Sequence, residues 1–133
     1  MSAMTTRNAT TTARWVIVAL TGTMIYYFVT SNAIRPGNPF LVPDMILTVL
    51  LPASAAFRGR FAVPAMIFAL AWSAAVWTVS LCTYITRGAF ADGANHLALI
   101  IPSVVAAGLL AAGAGHRNDT RQALQEPKRY PQL

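Results

Sequence analysis

The longest apolar stretch of the sequence, Phe61–Thr86, reads FAVPAMIFALAWSAAVWTVSLCTYIT and contains no charged residue. A helix needs about 20 predominantly apolar residues to cross the hydrocarbon core of a bilayer. This stretch is long enough to cross with some tilt. Pro64 falls in its first turn, where proline is tolerated, and Arg87 and Gly88 follow it directly. The stretch therefore predicts a transmembrane helix over residues 61–86.

Three further apolar stretches predict helices over about residues 15–34, 39–57 and 95–115. The one at 39–57 is the weakest, because it contains Pro43, Asp44 and Pro52. The connections between the stretches are short, so successive helices should be antiparallel neighbours. The sequence therefore predicts an all-α membrane protein with four transmembrane helices in an up-down antiparallel bundle.

The composition agrees with a membrane location. Hydrophobic residues make up 56% of the chain and charged residues only 11%, against roughly 25% charged in a soluble domain. The net charge is +6, and the basic residues lie at the ends of the apolar stretches. Membrane lipid headgroups are therefore the expected counterions, and nucleic acid is not an expected partner. Cys82 is the only cysteine, which excludes an internal disulfide; we expect a buried, inert thiol.

The distribution of basic residues predicts the orientation. One side of the predicted bundle holds eight of them, namely Arg7, Arg14, Arg58, Arg60, Arg117, Arg121, Lys128 and Arg129. The other side holds Arg35 and Arg87. The excess of basic residues marks the cytoplasmic side, so both termini should be cytoplasmic, with residues 1–14 a disordered tail and residues 116–133 a solvated tail. The preference for Arg over Lys and the abundance of Ala are typical of bacteria. We therefore expect the protein to lie in the bacterial inner membrane.

A cleaved signal peptide is the alternative for the first apolar stretch. Arg7 and Arg14 would form its basic region, and Ser31-Asn32-Ala33 resembles a small-residue cleavage site. The aromatic end of the stretch, Tyr26-Tyr27-Phe28, is atypical of a signal peptide. The remaining helices would keep their topology in either case.

Five ionisable residues fall on the side of the two outer loops: Arg35, Asp44, Arg87, Asp92 and His96. We expect them to form a polar or ion site with at least one Arg–carboxylate ion pair. Asp44 has two interpretations. If its helix begins at Pro39, the carboxylate lies at membrane depth, where acidic residues are often functional. If the helix begins at Pro43, Asp44 is an N-terminal acid stabilised by the helix dipole.

Two helix faces stand out. A polar-aromatic stripe on the third helix contains Ser73, Trp77, Ser80 and Tyr84, whose spacing places them on one face. It predicts either a helix–helix interface with hydroxyls bonding across to neighbours, or the lining of a solute or lipid path. A small-residue face on the fourth helix contains Ala107, Gly108, Ala111, Ala112 and Gly115. It allows close helix packing within the chain, with another copy, or with another protein.

No enzyme motif occurs in the sequence. It lacks a glycine-rich phosphate loop, a pair of histidines on one helical face and a nucleophile elbow. His96 and His116 would lie about 30 Å apart along one helix and cannot share a metal. We therefore expect a non-enzymatic protein without cofactor or metal. The first hypothesis is an accessory or assembly subunit of a larger membrane complex, with other membrane subunits or copies of itself as partners.

Two other functions remain open. The first is a small oligomeric transporter or channel that uses Asp44 and the polar-aromatic stripe. The second is a holin-like protein that forms membrane lesions. A subunit should co-purify with a fixed partner, a transporter should need Asp44, and a holin should kill cells abruptly when overexpressed.

Overall fold

The described residues, 2–31 and 33–125 of a computed structural model, form helices and turns but no strand. The helices are α1 (Ser2–Thr30), α2 (Leu41–Ala56), α3 (Ala62–Thr86), the single turn α4 (Phe90–Gly93) and α5 (Leu97–Gln125). Short 3-10 turns at Gly59–Phe61 and Ala94–His96 precede α3 and α5. The prediction of an all-helical protein is confirmed.

Among the described residues, three helical segments are long and apolar enough to cross a membrane: Arg7–Thr30, Gly59–Thr86 and Phe90–His116. The fourth apolar helix, α2, has only 16 residues, or about 24 Å at 1.5 Å per residue. It is shorter than the predicted 39–57 because its flanks adopt other conformations. The backbone N–H of Phe40 donates to the Asn38 side chain at 3.1 Å, so Asn38 forms a turn before the helix. Phe57 is extended and ends α2.

The outer ends of α1 and α5 differ from the prediction. Residues 2–14, expected to be disordered, are helical and continuous with α1. Residues 116–125, expected to begin a tail, continue α5. Neither segment contains Gly or Pro, so nothing in them breaks a helix, and a polar composition alone does not separate a solvated helix from coil. Residues 126–133, which include Lys128 and Arg129, lie outside the described residues.

The four longer helices surround one core. Helix α1 packs against α2 and α5, and α3 packs against the same two helices. The largest fully buried side chains come from three of them: Ile17 of α1, Leu47 and Leu51 of α2, and Met66 and Leu70 of α3. The outward faces are also apolar, with side chains such as Trp15, Val29 and Val49 exposed. An apolar outer surface is what a helix bundle presents to lipid.

Two buried hydroxyl groups inside the bundle, those of Ser73 and Ser103, are satisfied within their own helices. Ser73 Oγ donates to the carbonyl of Ala69 at 2.7 Å, and Ser103 Oγ donates to that of Leu99 at 2.7 Å. Both serines are fully buried. Because each hydroxyl uses a carbonyl one turn back, these polar groups need no partner on another helix.

The end of α3 is set by a glycine. Gly88 has a positive φ of 71°, which favours glycine because it lacks a Cβ. Its N–H donates to Ile85 O at 3.0 Å, and the next N–H, of Ala89, donates to Tyr84 O at 3.0 Å. This pair of bonds is a Schellman motif. It reverses the chain sharply after Arg87 and directs α4 back towards Tyr84.

Candidate functional site: a pocket at one end of the bundle

A pocket of about 760 Å³ lies where α1 and α3 end and where α2 and α5 begin. Ligand pockets commonly have volumes of roughly 300–1,000 Å³. Its lining residues come from these helix ends and from the α1–α2 loop: Thr23, Met24, Tyr27, Ser31, Ala33, Arg35, Pro36, Gly37, Asn38, Pro39, Phe40, Asp44, Trp77, Ser80, Thr83, Tyr84, Arg87, Asn95, His96 and Leu99. The lining therefore combines aromatic rings, hydroxyls and charged groups.

Four of the five predicted outer residues line this pocket: Arg35, Asp44, Arg87 and His96. The fifth, Asp92, is exposed and does not line it. The expected ion pair is absent: within the described part of the chain, neither arginine pairs with Asp44 or Asp92. Both arginines are exposed, where water competes for the guanidinium and holding a long side chain in place costs entropy. The prediction of an Arg–carboxylate pair was wrong.

Asp44 lies between the two predicted alternatives. It is in the first turn of α2, where the helix dipole favours an acid, and its N–H donates to Phe40 O at 2.9 Å. Yet the residue is only 8% exposed. Its carboxylate makes no hydrogen bond or ion pair with any residue that the structure describes. A buried carboxylate without a protein partner, open to a pocket, is unusual for a purely structural residue.

His96 is held in one tautomer by its two hydrogen bonds. Nδ1 lies 2.9 Å from the carbonyl oxygen of Gly93, which can only accept, so Nδ1 carries a proton. Nε2 lies 3.0 Å from Ser80 Oγ. In the neutral imidazole, Nε2 therefore accepts the hydroxyl proton of Ser80. The hydrogen-bond partners of His96 are thus Ser80 and Gly93.

Tyr84 and Gly93 hold this end of the pocket together. The rings of Tyr84 and His96 have centroids 5.6 Å apart and are tilted by 45°. A Cβ added to Gly93 would lie 2.7 Å from both Cβ and Cγ of Tyr84, closer than atoms can approach. The tyrosine therefore packs directly on the glycine backbone. Sequence analysis missed Gly93, because a glycine in a short polar loop gives no indication of which side chain lies on it.

The polar-aromatic stripe of α3 has two parts. Trp77, Ser80 and Tyr84 line the pocket. Ser73 lies outside the lining, is fully buried, and bonds to its own helix. Only Ser80 forms the cross-element hydroxyl bond that the sequence led us to expect, through His96. The stripe therefore contributes both to helix packing and to the pocket lining.

The small-residue face of α5 points away from the bundle. Gly108, Ala111, Ala112 and Gly115 are exposed, and only Ala107 is partly buried. A Cβ at Gly108 or Gly115 would meet no atom within 4 Å. Helix α5 instead buries the face that contains Ser103, Ala106 and Leu110. Ala107 thus packs against the core, whereas the other four small residues make no packing contribution within the described part of the chain.

Two further findings concern metal and thiol chemistry. Among residues 2–31 and 33–125, no three His, Cys, Asp or Glu side chains come together as metal ligands would. Cys82 is exposed on the outer surface of α3 instead of buried as expected.

The chain matches no protein-family model, no curated protein and no solved structure.

Proposed function

We propose that the chain is a four-span protein of the bacterial inner membrane, with antiparallel helices and both termini in the cytoplasm. Two observations support the alternating directions. The pocket is lined by the ends of α1 and α3 together with the starts of α2 and α5. Arg14 of α1 donates from Nη2 to the carbonyl of Phe57, just after α2, at 3.2 Å. In this arrangement α2 is the short span, and local thinning of the bilayer accommodates it.

The proposed orientation places the pocket outside the cytoplasm. Arg35 and Arg87 line the pocket, whereas Arg58 and Arg60 belong to the turn between α2 and α3. The basic tails share the side of that turn, so the excess of positive charge lies opposite the pocket.

The function we propose is that of a non-enzymatic subunit of a larger membrane assembly. The uncovered small-residue face of α5 carries this proposal. In lipid, helices associate through close van der Waals packing, and small residues let two backbones approach. Gly108, Ala111, Ala112 and Gly115 are exposed, so a helix of another subunit or another copy can pack on them.

Purification from the native host in mild detergent, followed by mass spectrometry, tests this function. The chain should co-purify with a fixed partner or with itself, and Gly108→Leu should release that partner. Gly22→Leu on α1 is the matched control, since Gly22 is also exposed in a helix with no atom within 4 Å of an added Cβ. Retention of every partner by Gly108→Leu would contradict a role for this face. Abrupt lysis on overexpression would instead favour the holin-like alternative.

A small transporter or channel is the second candidate, and the pocket supports it. Asp44 is a buried carboxylate without a protein partner among the described residues, and it lines a pocket of ligand size. Acidic residues at membrane depth often mark substrate or ion paths. If this function holds, Asp44→Asn should fold and bind partners normally but fail to complement a deletion strain. Full complementation by the variant would exclude a transport role for the carboxylate.

A further inference from the structure

Opposite charges lie at different depths of the pocket. Asp44 is 8% exposed and has no partner among the described side chains. Arg35 and Arg87 line the same pocket but are exposed. A buried charge is costly unless it is paired. The little-exposed Asp44 carboxylate therefore favours a positive group, and the two exposed guanidiniums offer sites for a negative one.

The inner wall has further features that suit a cation. Because His96 Nδ1 donates to Gly93 O, a neutral His96 accepts the Ser80 proton at Nε2. The lone pairs of Ser80 Oγ then remain free to accept a hydrogen bond. The aromatic side chain of Trp77 lines the same pocket and is 2% exposed, and aromatic faces attract cations.

A ligand with a single charge fits this pocket poorly. A simple cation would meet the two arginines at the rim before it reached Asp44. A simple anion would bind the arginines but leave the buried carboxylate unpaired, and it would repel that carboxylate if it entered further. A ligand with both charges satisfies both sets of groups.

We propose that the pocket binds a zwitterion, with its ammonium group at Asp44 and Ser80 and its phosphate or carboxylate group at Arg35 and Arg87. Two sources share this chemistry. One is the headgroup of an aminophospholipid, and the other is a free amino acid. The inference concerns only the pocket, so it holds whether the protein transports the ligand or retains it. It is also independent of the α5 face, and failure of either proposal leaves the other testable.

The pocket contains a natural reporter. Trp77 lines it, whereas Trp15 and Trp72 are 70% and 44% exposed on the outside of the bundle. Full-length protein with Trp15→Phe and Trp72→Phe, purified in a non-ionic detergent, would report on the pocket through Trp77 emission alone. Equilibrium dialysis with radiolabelled probes provides a second measurement that does not depend on fluorescence.

Four probes separate the charges and the sources. Glycerophosphoethanolamine and alanine carry both charges, ethanolamine carries only the cation, and dimethyl phosphate, a phosphodiester, carries only a single negative charge. We expect at least one zwitterion to bind about tenfold or more tightly than either singly charged probe, because charge-assisted hydrogen bonds form at both ends. Binding of glycerophosphoethanolamine alone identifies a lipid headgroup, and binding of alanine identifies a free amino acid.

Matched variants assign the binding to the pocket. Asp44→Asn should weaken zwitterion binding about tenfold or more, and so should the double variant Arg35→Gln/Arg87→Gln. Asp92→Asn and Arg60→Gln should change nothing, since neither residue lines the pocket. Circular dichroism checks folding. If Asp44→Asn does not fold, the double variant decides, because both of its arginines are exposed.

Three results would overturn the proposal. The first is a singly charged probe that binds as tightly as both zwitterions. The second is the absence of zwitterion binding by both Trp77 emission and dialysis. The third is a loss of affinity in Asp92→Asn or Arg60→Gln equal to that in the pocket variants.

Discussion

Gly93→Ala should destabilise the protein through a single steric contact. The added Cβ would lie 2.7 Å from Cβ and Cγ of Tyr84. Tyr84 Cβ is fixed to the backbone of α3 and cannot rotate away, so α3 and the α3–α5 connection must separate by several tenths of an ångström. Overpacking of this kind costs about 1–3 kcal/mol. The backbone itself does not require glycine here, since φ at Gly93 is −97°, and the cost is therefore one of space.

Unfolding in mixed detergent and SDS micelles, followed by circular dichroism, measures this cost. Gly108→Ala is the control, because its Cβ would meet no atom within 4 Å and alanine in a helix is favoured over glycine by about 0.5–1 kcal/mol. In a double-mutant cycle, Gly93→Ala should cost much less in a Tyr84→Gly background, because only glycine at position 84 removes both Cβ and Cγ. Equal stability of Gly93→Ala and Gly108→Ala would refute the argument, as would a cycle without coupling between Gly93 and Tyr84.

Three other predictions are open to direct measurement. Asp44→Asn should lower the unfolding free energy in the same assay by no more than about 1 kcal/mol, because the carboxylate has no partner among the described residues, so only its dipole interaction is lost while the cost of an unpaired buried charge is removed; a larger loss would indicate a structural role. Gly88→Ala should cost about 1–2 kcal/mol through its positive φ of 71°, and an unchanged melting temperature would contradict this. A phosphatase active only outside the cytoplasm should be silent when fused after Leu133 and active when inserted after Gly37; the opposite pattern would reverse the proposed orientation.

The apolar pattern predicted the helices best where composition changes abruptly. The helix predicted over 61–86 is observed as Ala62–Thr86, because Gly88 ends it with a conformation that the sequence signals. At the ends of α1 and α5 the composition turns polar without any helix breaker, so the bounds could not be predicted. At α2, a helix was predicted from residue 39, but it begins at Leu41, and the side chain of Asn38 donates to Ala33 O at 3.0 Å within the preceding loop. The start of α2 therefore depends on the conformation of the preceding loop, which the local sequence does not determine.

The candidate site was predictable only as a set of residues on one side. Topology alone places Arg35, Asp44, Arg87 and His96 at the same end of a four-helix bundle. Which of them meet depends on side-chain reach and on competition with water, and the expected ion pair did not form. The contact between Tyr84 and Gly93 follows from the chain reversal at the end of α3 and could be found only in three dimensions.

The local hydroxyl bonds have a consequence for biogenesis. Thr21, Ser73 and Ser103 each donate to a carbonyl of their own helix, so in the proposed topology a newly made helix can partition into lipid before its neighbours exist. The Arg14 guanidinium is different, because its acceptor is the carbonyl of Phe57, which is synthesised 43 residues later. Until that carbonyl has been synthesised, the guanidinium stays in the headgroup region, where it is solvated. This hydrogen bond between α1 and the end of α2 can therefore form only after the second helix has been synthesised.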